Sequence, residues 1–142
     1  MVNEWIPIEL YGFEGAGDIR RATIADGVSV SKGALLQLLD PKTASYGHLA
    51  NVPIIGVAAE EHLAGRGITE ISVYTNGLFD VLASGSIGLG TSVIADLSNA
   101  VKEYNPAAAS SSLQSVSSHA FVLGRALETA SNNEVVVIRL QL

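Results

Sequence analysis

The chain contains no cysteine. Disulfides and thiolate metal sites are therefore excluded, and the redox compartment is left open. Charged residues make up only 15% of its 142 residues. That is sparse for the surface of a free monomer and implies that part of the surface meets other protein. No apolar run approaches the roughly 18 uninterrupted residues of a membrane helix. The N-terminal Met1-Val2-Asn3-Glu4-Trp5 has no basic region, so no signal peptide is expected. Basic residues are also few: eight Lys and Arg against fourteen Asp and Glu give a net charge of −6. A phosphate-binding surface draws on clustered Lys and Arg, so neither nucleic acid nor membrane is expected as a partner.

Val, Ile, Leu and Ala are spread along the whole length, which suits one domain with its own core. The central stretch, Pro53 to Ser84, holds three short apolar runs separated by turn residues. Asn76-Gly77 lies between two of them and predicts a type I′ hairpin turn. Ala34 to Leu39 is bounded by Gly33 and Asp40-Pro41 and reads as a buried strand. Asp40 to Val52 reads as a loop, Asp96 to Tyr104 as a short helix, and Asn105 to Ser118 as a low-complexity Ala/Ser loop. The last strand, Glu134 to Leu142, is apolar on both faces and is expected inside a closed or covered sheet. The fold class is all-β (mainly β): a small β-barrel or β-sandwich over 18–142, with a short helix or loop insertion. It is preceded by an extended N-terminal arm and hinge loop over 1–17.

A short internal repeat runs through this pattern. Ile55-Gly56-Val57-Ala58-Ala59-Glu60 followed by Glu70-Ile71-Ser72-Val73 matches Leu123-Gly124-Arg125-Ala126-Leu127-Glu128 followed by Glu134-Val135-Val136-Val137. Gly33-Ala34-Leu35-Leu36 precedes the first copy and Gly90-Thr91-Ser92-Val93 the second. One supersecondary unit used twice is the physical reading. Glycines at matching places inside strands, Gly56 and Gly124, mark a bulge, a bend or a close backbone approach, and suggest a sheet that curls.

Residues able to carry chemistry do not converge. His48, His62 and His119 fall in three separate loops without metal-ligand spacing and read as surface histidines, so no metal or cofactor is expected. Glu60-Glu61 beside His62 read better as strand-end charges than as an acid–base group. Gly12 to Gly17 and Gly85 to Gly90 lack the strand, helix and Lys context of phosphate loops and read as turns. Ser110 to Ser112 do not form a nucleophile elbow. Trp5 either packs on its own domain or anchors an intermolecular contact. Pro7 disfavours a central strand position, and the glycines from Gly12 to Gly17 supply a hinge. Together they predict an arm, Val2, Asn3, Glu4, Trp5, Ile6, Pro7 and Ile8, that contacts a neighbouring subunit or another protein.

The glycine-led segments Gly33-Ala34-Leu35-Leu36-Gln37 and Gly90-Thr91-Ser92-Val93-Ile94, the pair Gly56-Val57-Ala58 and Gly124-Arg125-Ala126, Tyr74 to Val81, and the closing Val135-Val136-Val137-Ile138-Arg139-Leu140 form a pattern. It resembles the small capsid cement, or decoration, proteins of tailed bacteriophages over about Asp18 to Leu142. Glu4-Trp5-Ile6-Pro7 and the loop around Ala107 to Ser112 depart from that pattern. The resemblance implies a non-enzymatic protein without cofactors, on the outer surface of the capsid in the virion. It further implies that its partners are the major capsid protein and further copies of itself, commonly as a homotrimer. A carbohydrate- or receptor-binding module of a tail or fibre is the alternative, hinted at by Tyr46 and His48. A small β-barrel enzyme subunit is a distant third.

Overall fold

Alternating apolar and polar residues give strands with one buried side. The computed structural model describes residues 3–10, 19–25, 27–46, 53–104 and 122–142. Within them lie eleven strands: β1 Ile6–Glu9, β2 Ile19–Thr23, β3 Leu35–Leu38, β4 Ala44–Tyr46, β5 Ile54–Ala58, β6 Glu70–Tyr74, β7 Asn76–Leu82, β8 Ser92–Ala95, β9 Val101–Glu103, β10 Val122–Ala126 and β11 Val135–Gln141. The protein is mainly β. Its strands form two antiparallel sheets, ordered β2-β6-β5-β3-β4 and β1-β7-β11-β10-β8-β9.

Without β1, the two sheets have the same strand order and topology. The repeat in the sequence is a duplication of the fold, with one correction: Glu70 to Val73 corresponds to Val135 to Ile138, one residue beyond the match read from the sequence. The duplication extends to individual hydrogen bonds. Leu36 pairs with Gly56, and the next pair, Gln37 with Ile54, skips Ile55. In the second half Val93 pairs with Gly124, and the next pair, Ile94 with Val122, skips Leu123. The Ser72 amide donates to the Glu60 carboxylate at 2.9 Å, and the Val137 amide to the Glu128 carboxylate at 3.0 Å. The bridge Val30↔His62 matches Ile87↔Ala130.

The repeated glycines have the same cause in each half. A Cβ on Gly56 would overlap the Tyr74 carbonyl oxygen, and one on Gly124 would overlap that of Arg139. Each sits beside a bulge, which bends the sheet. The bend curls each five-stranded sheet until its two ends touch. The contact is a single parallel bridge, Thr23↔Thr43 in one half and Ala83↔Val101 in the other, so neither sheet closes as a full barrel.

Each curl encloses apolar side chains at corresponding positions. Ala22, Ile24, Val30, Leu36, Ile55, Ala58, Ile71 and Val73 form the first core. Val81, Ala83, Ile87, Val93, Leu123, Ala126, Val136 and Ile138 form the second. The second core also takes in Leu35 and Val57, with Tyr74 packed against it, so one face of the first sheet lies on the second half. The Tyr74 and Phe79 rings meet there at 5.9 Å.

Several expectations are corrected by this arrangement. Asn76-Gly77 is not a hairpin turn: β6 and β7 belong to different sheets, and the chain crosses from one half to the other here. Gly77 instead lets β1 approach, since a Cβ would come within 2.9 Å of the Glu9 carbonyl. Asp96 to Tyr104 is not a helix but a short 3₁₀ turn, Leu97–Asn99, followed by β9. The Asp40 to Val52 loop contains β4. Its entry is an Asx turn in which the Asp40 carboxylate accepts from the Lys42 and Thr43 amides at 3.0 and 2.8 Å. Those bonds hold the Asp40 carboxyl below the usual carboxylate range. β11 buries Val136, Ile138 and Leu140 on one side only; Val135 on the other side is 58% exposed.

Candidate interaction surface

The N-terminal segment has a polar clasp and an apolar edge. Trp5 is 1% exposed and packs on Phe79, with ring centroids 5.8 Å apart. Its amide donates to the Gly33 carbonyl at 3.0 Å and its indole N–H to the Asn99 carbonyl at 2.9 Å. Asn99 is fully buried. Its Oδ1 accepts from the Leu35 amide at 2.7 Å, and its Nδ2 donates to the carbonyls of Asn3 at 2.8 Å and Gly33 at 2.9 Å. Ser98 and Asn99 both have positive φ, a conformation that asparagine tolerates better than most residues. One asparagine thus ties the N-terminal segment and both halves together.

This corrects the reading of Trp5 as an intermolecular anchor. The tryptophan is a core residue of its own fold, and the segment continues as β1 along the edge of the second sheet. There Ile6 pairs with Asp80, Pro7 with Phe79 and Glu9 with Leu78. Pro7 sits on an edge strand, as its missing N–H requires. Within the predicted contact segment the apolar exposure falls on Ile6 and Ile8, at 53% and 51%. Val2 lies outside the described residues.

The other candidates have structural tasks. His62, expected at the surface, is buried, with its ring nitrogens 2.6 Å from the Val28 carbonyl oxygen and 2.5 Å from that of Ile68. The Glu60 carboxylate that receives the Ser72 amide also lies 3.7 Å from the Arg21 guanidinium. The amides of Gly85, Gly88 and Leu89 are bonded by the side chains of Asn132, Glu103 and Thr129, which suits turns and not a phosphate cradle. Among the described residues, no group of three or more His, Cys, Asp or Glu is placed to hold a metal ion. Tyr46 is partly buried against the first core, which weakens the lectin-like hint. His48, His119, Gly12 to Gly17 and Ser110 to Ser112 lie outside the described residues.

The surface that remains is the outer face of the six-stranded sheet. The strand registers lay out its rows. Ile6, Asp80 and Val137 form one, Leu82 and Val135 a second, and Glu9, Leu78, Arg139 and Arg125 a third. It is a face of partly exposed aliphatic residues crossed by a few charges. A groove of about 300 Å³ lies at one side of it, lined among the described residues by Arg125, Leu127, Arg139 and Gln141. Sequence reading missed the groove because its residues come from two strands, and only the register sets them side by side.

The fold is a tandem of two curled five-stranded β-sheets joined by an N-terminal clasp and edge strand. No family model matches the chain, and no curated protein matches it. Among solved structures it is similar to the N base of the head fibre gp8.5 of bacteriophage phi29. The likeness has a TM-score of 0.53 and 17% identity, covering 87% of this chain and 93% of that one. At that identity the likeness is one of fold.

Proposed function

We propose that the chain is a non-enzymatic structural protein of a tailed-phage virion that binds the outside of the head as a decoration protein. The observation that carries this reading is the fold shared with the N base of a phage head fibre over 87% of the chain. The sparse charge of the chain and an outer sheet face on which Ile6, Leu78, Leu82, Val135 and Val137 alternate with charged residues support it, because both suit a protein that meets other protein. The exposed Ile6 and Ile8 on the β1 edge belong to the same side of the reading.

The mechanism is physical. Packaged DNA strains the joints between shell subunits. A protein that binds only the expanded lattice stabilises that state by linkage, by about 2.7 kcal/mol per site when it is present at 100 times its Kd. Copies joined as a homotrimer on a local three-fold position gain avidity. The partner is the major capsid protein.

The test is co-sedimentation with heads and procapsids of the virus that encodes the chain. Binding to expanded heads at least tenfold tighter than to procapsids is the expected result. Equal binding to both, or binding to neither, contradicts the reading.

A further inference from the structure

We propose that the outer face of the six-stranded sheet docks on a protein surface that presents an arginine or lysine, and that Asp80 and Glu128 receive that cation. Three observations lead there.

The first is a comparison of the two halves. On the outer face of the first sheet Arg21 lies opposite Ser72, and Thr23 opposite Glu70. The equivalent pairs of the second sheet are Asp80 opposite Val137 and Leu82 opposite Val135. One face is polar and charged, as a solvated sheet face is. Its copy, built on the same strands, is largely aliphatic. Ile6 and Leu127 extend that patch: Ile6 pairs with Asp80 on one side, and the Leu127 amide donates to the Val137 carbonyl on the other. Val135, Ile6 and Leu127 are 58%, 53% and 44% exposed. A contiguous patch of this kind, present in one of two equivalent places, marks contact with other protein.

The second observation is an exchanged charge. In the first half the Glu60 carboxylate accepts from the Ser72 amide and lies 3.7 Å from the Arg21 guanidinium, which also lies 3.8 Å from Glu70. In the second half the Glu128 carboxylate accepts from the Val137 amide in the same way. Opposite Val137, however, Asp80 stands in the place of Arg21, and Val135 in that of Glu70. The glutamate is kept and its cation is gone. Among the described residues neither Asp80 nor Glu128 forms an ion pair. A guanidinium or ammonium brought by a partner would stand where Arg21 stands in the first half.

The third observation is the setting of Asp80. Its neighbours across and along the sheet on this face are Ile6, Leu78, Leu82 and Val137. A half-buried carboxylate ringed by aliphatic side chains pairs more strongly with an incoming cation than one in open water, because the docked apolar surfaces exclude water around it. A cation at the centre of an aliphatic surface is therefore the complement that this face selects. The net charge of −6 points the same way, since it attracts basic surfaces and repels acidic ones.

The identity of the partner, the shell protein, rests on the head-binding reading, and the experiment separates the two. Wild type, Asp80→Asn, Asp80→Arg and Arg21→Ala are compared as full-length chains. Each is assayed for binding to expanded heads, for thermal midpoint, for self-association by sedimentation velocity, and by NMR titration with hexa-arginine and with hexaglutamate. Asp80→Arg restores the first-half ion pair inside the chain. It should weaken head binding at least tenfold with a thermal midpoint no lower than wild type. Asp80→Asn should weaken head binding less, and Arg21→Ala should bind heads like wild type. Hexa-arginine should give saturable shifts at Leu78, Asp80 and Val137 that hexaglutamate does not give and Asp80→Arg loses. Asp80 variants that bind heads like wild type overturn the proposal and leave the head-binding reading standing. Equal weakening by Arg21→Ala also overturns it, because the effect is then not confined to this face. Asp80 variants that change self-association in place of head binding show that a second copy covers the face, which overturns the proposal too. Wild type that binds no heads overturns the head-binding reading, and the docking site then stands on saturable hexa-arginine shifts at Asp80 and Val137 and falls without them.

Discussion

Trp5→Ala is expected to lower the stability of the free protein by about 3–5 kcal/mol, the range for emptying a large aromatic site in a core. The indole is 1% exposed, touches Phe79 and bonds the buried Asn99 carbonyl. Removing it leaves a void, takes away the indole N–H bond to Asn99 and unpicks the clasp between the halves. Against a total of about 5–15 kcal/mol for a domain, that is a large share. Trp5→Phe should cost less, because it keeps much of the apolar volume and loses mainly the indole N–H. Urea unfolding followed by circular dichroism measures both; fluorescence is unsuitable because the substitution removes the single tryptophan. The arm reading of the sequence expects the opposite split, an unchanged midpoint with weakened partner binding. That split, if observed, would return Trp5 to an interface.

Gly124→Ala is expected to cost at least about 3 kcal/mol, the upper end for overpacking, because the obstacle is backbone. The added Cβ meets the carbonyl of Arg139, which is fixed in the ladder between β10 and β11 and cannot rotate away as a side chain can. Gly56→Ala should behave alike, since its Cβ meets the carbonyl of the equivalent residue, Tyr74. Gly27→Ala is the control: its Cβ would meet nothing within 4 Å, so its effect should stay within about 0.5 kcal/mol. Equal effects at Gly124 and Gly27 in denaturant melts would show that the close approach is not what fixes glycine in the repeat.

Those glycines were legible in the sequence, and so was the duplication, because a bulge and a close approach leave a residue-level mark at fixed spacing. Ala34 to Leu39 was legible as a strand, since Gly33 and Asp40-Pro41 bound it too tightly for a helix. Other features were set by partners distant in the chain. Asn76-Gly77 carries the local signal of a hairpin turn, yet the strands on either side pair elsewhere. Asn99 has the polarity of a loop residue, and only Asn3, Gly33 and Leu35, brought in from other elements, make it the buried centre of a clasp. His62 is polar in a turn-rich stretch, but the carbonyls of Val28 and Ile68 face its two ring nitrogens and accept its N–H, which allows burial. Trp5 beside Pro7 reads as an arm until the edge of β7 is seen to receive β1. The arginine groove needed the register of β10 on β11, which no single segment contains.

The proposed role as a head protein is tested most directly by a reconstruction of the mature virion of the proposed source phage. Density for the duplicated β fold is expected on the outside of the head shell, grouped around local three-fold positions, with bound copies in contact with one another. The same fold found only in the tail or at a fibre tip, with no contact to the shell, would contradict it.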